Sequence, residues 1–246
     1  MEDEASGYSD RPEAGRRLAE ALRRELPEPG DAIVLCLPRG GVPVGYEVAR
    51  ALGLPLDLLI VRKLGLPVQP ELAMGAVASG GVRVLNPSVV SLADVDEETI
   101  EEVEREERAE LQRRERAYRG DRPLPGLGGR TVILVDDGVA TGSTIRAAIR
   151  AVRSREPEKI VAAVPVASPE GVKKLRKDAD VVVCPLVPEF FAAIGSWYHD
   201  FPQLTDDEVR AILARAWEEE GEGREGSSGD GEGEGAGVGG TPIGEA

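Results

Sequence analysis

The stretch T-V-I-L-V-D-D-G-V-A-T-G-S-T-I-R, residues 131–146, carries the most pointed chemistry in the chain. A charge-free, β-branched run ends in two adjacent acids, Asp136 and Asp137. A turn of small and hydroxyl residues follows, Gly138 to Thr144, and then a helical pattern begins. A helix N-terminus offers unpaired N–H groups and the positive end of the dipole, and together these bind anions. Gly138 and Gly142 let backbone approach a phosphate, while Thr141, Ser143 and Thr144 can add hydroxyl hydrogen bonds. Two carboxylates beside a phosphate would repel it, so they must meet something else: sugar hydroxyls or a metal ion. The set suits a ribose 5-phosphate, with the diol on the acids and the phosphate in the turn. The spacing is neither GxxxxGK[ST] nor GxGxxG. An acid pair ending an apolar strand is costly without a role.

Val132–Thr144, VILVDDGVATGST, resembles the phosphoribosyl-pyrophosphate (PRPP) signature of type I phosphoribosyltransferases. The resemblance implies that Asp136 and Asp137 hold the ribose 2′- and 3′-hydroxyls. It gives the 5-phosphate to Gly138, Val139, Ala140, Thr141, Gly142, Ser143 and Thr144. Other segments match in the family's order. Leu37–Gly41, LPRGG, looks like the diphosphate loop, often built around a cis peptide, with Arg39 and the amides of Gly40 and Gly41 as contacts. Two glycines there allow unusual backbone angles. Val61–Lys63, VRK, looks like the bases that neutralise the leaving group, Arg62 and Lys63. Leu64–Gly81 is rich in Gly, Pro and Ala and looks like the family's flexible catalytic loop, with Glu71 its only charge.

Pro188–Phe201 holds five of the nine aromatic residues, and in the family the equivalent hood (186–204 here) stacks on the acceptor. Phe190, Phe191, Trp197 and Tyr198 are its candidates, with a plain aromatic core as the competing reading; His199 reads as structural. The third position after the acid pair is Ala140, where 6-oxopurine enzymes of the family carry an Asp for the purine N7. That departure argues against hypoxanthine or guanine and leaves adenine open. The resemblance covers about Ala32 to Phe201 and is greatest to the stand-alone bacterial members, whose acceptors are mostly unassigned.

The implied reaction is Mg²⁺-dependent transfer of ribosyl 5-phosphate from PRPP to a small nitrogenous acceptor, with release of pyrophosphate. Mg²⁺ would meet Asp136 and Asp137 only indirectly, through ribose or water, because it keeps several waters and needs no all-protein cage. The readings from other classes are a PRPP-binding regulator without turnover and a hydrolase or phosphorylase acting on a nucleotide. Only the Lys173, Lys174, Arg176, Lys177 helix face favours a nucleic-acid partner for such a regulator, and a solvated face explains those residues as well.

The elements that must position these residues alternate. Ala32–Leu37, Leu56–Val61, Thr131–Val135, Ile160–Val166 and Val181–Cys184 read as buried strands. Val42–Leu52, Ser143–Val152 and Pro169–Lys177 read as helices between them, bracketed by helices at Arg11–Leu26 and Thr205–Trp217. Thr205 with Glu208 makes a capping box. Continuous apolar strands separated by helices predict an α/β fold, a parallel sheet covered on both faces, with its site at the C-terminal strand ends.

The net charge of -15, taken alone, argues against an anionic ligand, but it is unevenly spread. Residues 218–246 hold 9 acids, 1 base and 11 glycines and are expected to be a disordered tail; residues 1–13 hold 5 acids and 1 base and are expected to fray. Residues 94–118 hold 11 acids and 5 bases without Pro or Gly. They read as an inserted helix with favourable pairs Glu101/Arg105, Glu104/Arg108 and Glu110/Arg114. That helix either rests on the body by one edge or pairs with a second copy to form a homodimer. What remains of the 14–217 domain is slightly basic. The acidic total argues against nucleic acid or an anionic membrane, but not against a small phosphorylated substrate in a local pocket. Cys36 and Cys184 form no metal knuckle, one His excludes a His-rich metal site, and no apolar run spans a membrane. With no leader pattern at the N-terminus, a cytoplasmic protein is expected.

Overall fold

The computed structural model describes residues 7–227. In chain order the first elements are α1 (Arg11–Glu25), β1 (Ala32–Cys36), α2 (Gly41–Leu52), β2 (Leu56–Leu58), β3 (Val61–Leu66), β4 (Gln69–Ala78), β5 (Val82–Leu85), α3 (Pro87–Leu92) and α4 (Glu97–Arg119). They are followed by β6 (Thr131–Val135), α5 (Ser143–Arg153), β7 (Lys159–Ala163), α6 (Pro169–Asp178), β8 (Val181–Val183) and α7 (Asp206–Ser227). A five-stranded parallel sheet runs β2-β1-β6-β7-β8. The α/β class with a covered parallel sheet is therefore as the sequence predicts.

Strand period explains why these runs are apolar throughout. Successive side chains point to opposite faces. Val34, Cys36, Ile133, Val135, Val161 and Ala163 enter one core with α1, α2, α4 and α7. Ile33, Leu35, Val132, Leu134, Ile160 and Ala162 enter the other, with α5 and α6. Both faces need hydrocarbon, so no alternation survives in the sequence.

Three expectations are corrected. Leu64–Gly81 is not a loop: β3 and β4 form an antiparallel hairpin, and β5 joins it in a second, three-stranded sheet. Its small residues suit close packing, since a Cβ on Gly75 would lie 2.6 Å from the Val84 carbonyl oxygen. The described part of 1–13 does not fray. Tyr8 is buried, its N–H donates to the Trp197 carbonyl and its hydroxyl to the Pro165 carbonyl, and α1 starts at Arg11 under an Asp10 cap. Helix α7 does not end at 217 but continues to Ser227, and Tyr46 donates to Glu219 at 2.8 Å. The expected fraying of 1–6 and disorder of 228–246 lie outside the described residues.

The inserted helix α4 buries only Ile100, Leu111, Tyr118 and Arg119, an edge contact. Glu104/Arg108 and Glu110/Arg114 pair as expected, whereas Arg105 leans towards Glu102 at 3.8 Å. Its C-terminus is fixed by a buried ion pair, Arg119 Nη2 to Asp57 Oδ1 of β2 at 2.8 Å. The capping box at α7 is present, with Glu208 N–H donating to Thr205 Oγ1 and Thr205 N–H to Glu208 Oε2.

Candidate functional site

The C-terminal ends of β1 and β6 leave the sheet side by side, so their loops pack on one another. Leu37 N–H donates to the Val135 carbonyl at 2.9 Å. The peptide between Pro38 and Arg39 is cis. The glycines of this loop serve a different purpose from the expected one. Gly40 has φ -58° and ψ -35°, an ordinary helical conformation. What it needs is space: a Cβ there would lie 1.9 Å from Asp137 Oδ2, and one on Gly41 would lie 2.6 Å from the Val135 carbonyl oxygen. The diphosphate-loop candidate is therefore pressed directly against the acid turn.

Within the turn, outward and inward roles separate. Val139 is buried, its N–H donates to the Val166 carbonyl, and its own carbonyl accepts from Ser168 N–H. That amide is spent on the fold, so Val139 is a packing residue and not a phosphate donor. Ser168 Oγ donates to the Ala140 carbonyl at 2.6 Å, bracing the turn from the β7–α6 loop. Gly138 is also buried, with a Cβ position 2.6 Å from Ile194 Cγ2 of the hood. The exposed face belongs to Ala140, Thr141, Ser143 and Thr144, around Gly142 at φ +77°. Gly142 caps α5 with no side-chain hydrogen bond, which leaves the first turn's N–H groups facing outward. Thr141 Oγ1 and Ser143 Oγ lie 3.4 Å apart. Chemically, such a cradle can receive an anion.

The two acids are not equivalent. Asp137 is buried, and Arg11 Nε donates to its Oδ2 at 2.9 Å. Its carbonyl accepts from the Tyr198 hydroxyl at 2.6 Å. Asp136 is half-buried, and its Oδ1 accepts from Asp137 N–H at 2.9 Å. Burial pushes the Asp136 carboxyl well above the usual carboxylate range, and the neighbouring Asp137 charge adds to the rise. Burial raises Asp137 too, opposed by the Arg11 guanidinium.

Two of the bases expected on the diphosphate are held by carboxylates. Arg39 Nε pairs with Asp206 of α7 at 3.0 Å, and its Nη1 donates to the Leu204 carbonyl. Asp206 also accepts from the Tyr118 hydroxyl at 2.6 Å, which holds its carboxyl below the usual range. Arg62 Nε donates to Glu107 of α4 at 2.6 Å. Lys63 lines a crevice of about 140 Å³ with Asn86, Ser143, Arg146 and Arg150, where the hairpin crosses α5 beside the cradle. Glu71 lies in β4 between Ala73 and Gln69, which pair with Gly65 and Leu66 of β3.

The hood divides as well. Tyr198 is buried, its ring centroid 5.5 Å from that of Tyr8 and 4.8 Å from that of Phe201. It belongs to a small core and grips the acid turn, so it is no stacking face for an acceptor. Phe191 and Trp197 pack half-buried against that core, and Phe190 is 85% exposed. His199 takes part through its backbone, donating to the Tyr8 carbonyl.

Sequence reasoning missed Arg11, Tyr8, Ser168, Glu107 and Asp206. The only local signal was at Arg11, where Asp10 and Pro12 mark a helix start inside a segment read as frayed. Among the described residues no three His, Cys, Asp or Glu side chains gather to hold a metal ion. With Asp137 tied to Arg11, the turn presents one carboxylate, Asp136. That donor set fits a hydrated hard cation carried in by a phosphorylated ligand, and does not fit an all-protein cage. Among the described residues no helix is long and apolar enough to cross a membrane.

Comparison with known proteins bears on the family of the chain. The phosphoribosyl transferase domain family matches residues 7–202. A Mycobacterium tuberculosis protein carrying the name "Putative phosphoribosyl transferase Rv0571c" is 46% identical over 210 residues, 85% of this chain. The chain spans about half the length (47%) of that relative. The crystal structure of TT1426 from Thermus thermophilus superposes with a TM-score of 0.78 at 46% identity, covering 85% of this chain and 98% of that one.

Proposed function

The chain belongs to the phosphoribosyl transferase family, and on that premise we propose that it transfers the ribosyl 5-phosphate of PRPP to a small nitrogenous acceptor, releasing pyrophosphate. The observation that carries this reading is the uncapped N-terminus of α5, ringed by Thr141, Ser143 and Thr144, directly beyond the acid pair. The 5-phosphate sits on those N–H and hydroxyl groups, and Asp136 accepts from the ribose.

Breaking the C1–O bond runs ahead of making the new C1–N bond, so positive charge grows on the ribose while negative charge grows on the departing pyrophosphate. Positioned charges serve such a step better than a strong base. Arg39, Arg62 and Lys63 meet the pyrophosphate together with the amides of Gly40 and Gly41, after Arg39 leaves Asp206 and Arg62 leaves Glu107. Asp136 would hold Mg²⁺ indirectly, through ribose or water, and the ion would supply charge neutralisation of the pyrophosphate. The hairpin covers the site and excludes water. Phe190 and Phe191 offer the hood's remaining faces to a flat acceptor. Ala140 supplies no carboxylate for a purine N7, which turns the choice away from 6-oxopurines and towards adenine-like bases or related amines. Such a reaction belongs to cytoplasmic nucleotide and nucleoside metabolism, and the exposed face of α4 is where a homodimer would form.

The second reading, a PRPP-binding regulator without turnover, is favoured by one observation: Arg39 and Arg62 are already neutralised by Asp206 and Glu107. Calorimetry with PRPP and MgCl₂, followed by a screen of nucleobases and amines for pyrophosphate release, separates the two. Binding with turnover is the expected result. Binding without turnover across the screen establishes the regulator, and no binding refutes both.

A further inference from the structure

The resemblance assigns Asp136 and Asp137 one shared task, but their surroundings differ too much for that. We propose that Arg11 is a positioning residue that withdraws Asp137 from the substrate and makes it an internal strut between the N-terminal helix, the hood and the diphosphate loop, leaving Asp136 as the carboxylate that meets the ribose. This rests on the PRPP reading and refines it.

Three contacts fix the guanidinium. Arg11 Nε donates to Asp137 Oδ2 at 2.9 Å, Nη1 donates to the Pro202 carbonyl at 2.8 Å, and the group lies 3.8 Å above the Phe201 ring centroid. Its side chain is 9% exposed and that of Asp137 is 12% exposed. The Asp137 carboxylate faces the backbone of the diphosphate loop. Measured from where a Gly40 Cβ would stand, Oδ2 is at 1.9 Å, Cγ at 2.4 Å and Oδ1 at 3.0 Å. The Asp137 carbonyl is taken by Tyr198, which stacks between Tyr8 and Phe201. A ribose hydroxyl seeking Oδ2 would have to displace a buried, charge-assisted hydrogen bond, among the stronger kinds a protein makes. The guanidinium hydrogen-bonds Asp137 and not Asp136, whose Oδ1 accepts from the next residue's N–H at 2.9 Å.

The clamp thus joins three parts that the chain keeps far apart. Arg11 is 126 positions from Asp137, and Pro202 is 191 from Arg11. Through it, the hood and the acid turn move as one body, and Gly40 is held against them.

The test is PRPP affinity by calorimetry with MgCl₂, with thermal melting as the check on folding. Asp136→Asn should weaken PRPP about 10- to 100-fold, the range for losing a charged hydrogen-bond partner, and Asp137→Asn should weaken it distinctly less. Arg11→Met strands a buried carboxylate, so it should weaken PRPP and lower the melting temperature together. Arg11→Lys should restore affinity in part. The double variant Arg11→Met/Asp137→Asn, which leaves no stranded charge, should bind better than Arg11→Met alone. Equal losses for Asp136→Asn and Asp137→Asn, or a double variant weaker than both its parents, would overturn the division of labour while leaving the PRPP reading intact. A wild-type protein that does not bind PRPP would instead remove the functional reading, and the proposal with it.

Discussion

The acid turn and the hairpin meet across α5, and they are built by opposite means. The turn is fixed by backbone and buried groups: Val139 N–H on Val166, Ser168 on Ala140, Tyr198 on Asp137, and the Arg11–Asp137 pair with side chains 9% and 12% exposed. The hairpin and the diphosphate loop hold their bases in open ion pairs. Arg62–Glu107 is 30% and 26% exposed, and Arg39–Asp206 is 40% and 34% exposed. Partly exposed pairs are worth little and exchange readily. Breaking a buried pair strands a charge. The difference suits the proposed chemistry. Under that proposal the ribose phosphate would be received by a rigid half, and the leaving group by bases that an anion can draw away from weak partners.

The largest effect should come from Asp136→Asn, which tests the rigid half. Burial raises the folded carboxyl's pKa above its unfolded value. The folded state therefore binds the proton more tightly, and the stability this confers is present at low pH and lost as pH rises through the folded pKa. At neutral pH the charge is a cost, so Asn should raise the melting temperature of the unliganded protein, by roughly 2–4 °C for each kcal/mol relieved, while PRPP binding weakens. A fall in both would mean that Asp136 is structural. Gly40→Ala comes next. Its Cβ would enter the space of the Asp137 carboxylate, so a destabilisation of about 1–3 kcal/mol, the usual range for overpacking, should appear in denaturant melts along with weaker PRPP binding.

The open half should respond in two directions. Arg62→Ala should slow pyrophosphate release, whereas Glu107→Gln, which frees Arg62, should leave stability within about 1 kcal/mol and strengthen pyrophosphate binding modestly. Weaker binding in Glu107→Gln would mean that α4 aims Arg62 at the ligand and does not restrain it. The smallest effect belongs to the C-terminus. Deleting 218–246 removes the Tyr46–Glu219 and Arg122–Glu220 contacts and should lower the melting temperature slightly, with PRPP affinity unchanged. Loss of PRPP binding would mean that α7 reaches the site through Asp206.

Parts of this comparison can be read in the chain and parts cannot. The acid turn is legible because its elements are local: an apolar strand, two acids and a helix start within sixteen consecutive residues. LPRGG is legible as a loop beside it, although the reason for its glycines is not, since Gly40 is required by a carboxylate from β6's turn and not by its own φ. The hairpin resembles a loop in sequence because Gly65, Pro67, Pro70 and Gly75 dilute the strand pattern, and its pairing slips register at Leu64/Gly65 and Gly65/Leu66. Phe190, Phe191, Trp197 and Tyr198 cluster visibly, but which one faces inward depends on Tyr8, brought there from the N-terminus.

By itself the sequence determined the parallel sheet, the helix N-terminus that can hold a phosphate, and the acid pair at its mouth. Each is written within one or two turns of chain, where periodicity and capping act. Only the tertiary structure decided that Asp137 belongs to Arg11 and that Arg39 and Arg62 rest on Asp206 and Glu107. Those choices are made by ion pairs and close contacts between segments that become neighbours only when the sheet orders its strands, and no local spacing encodes which charge will meet which.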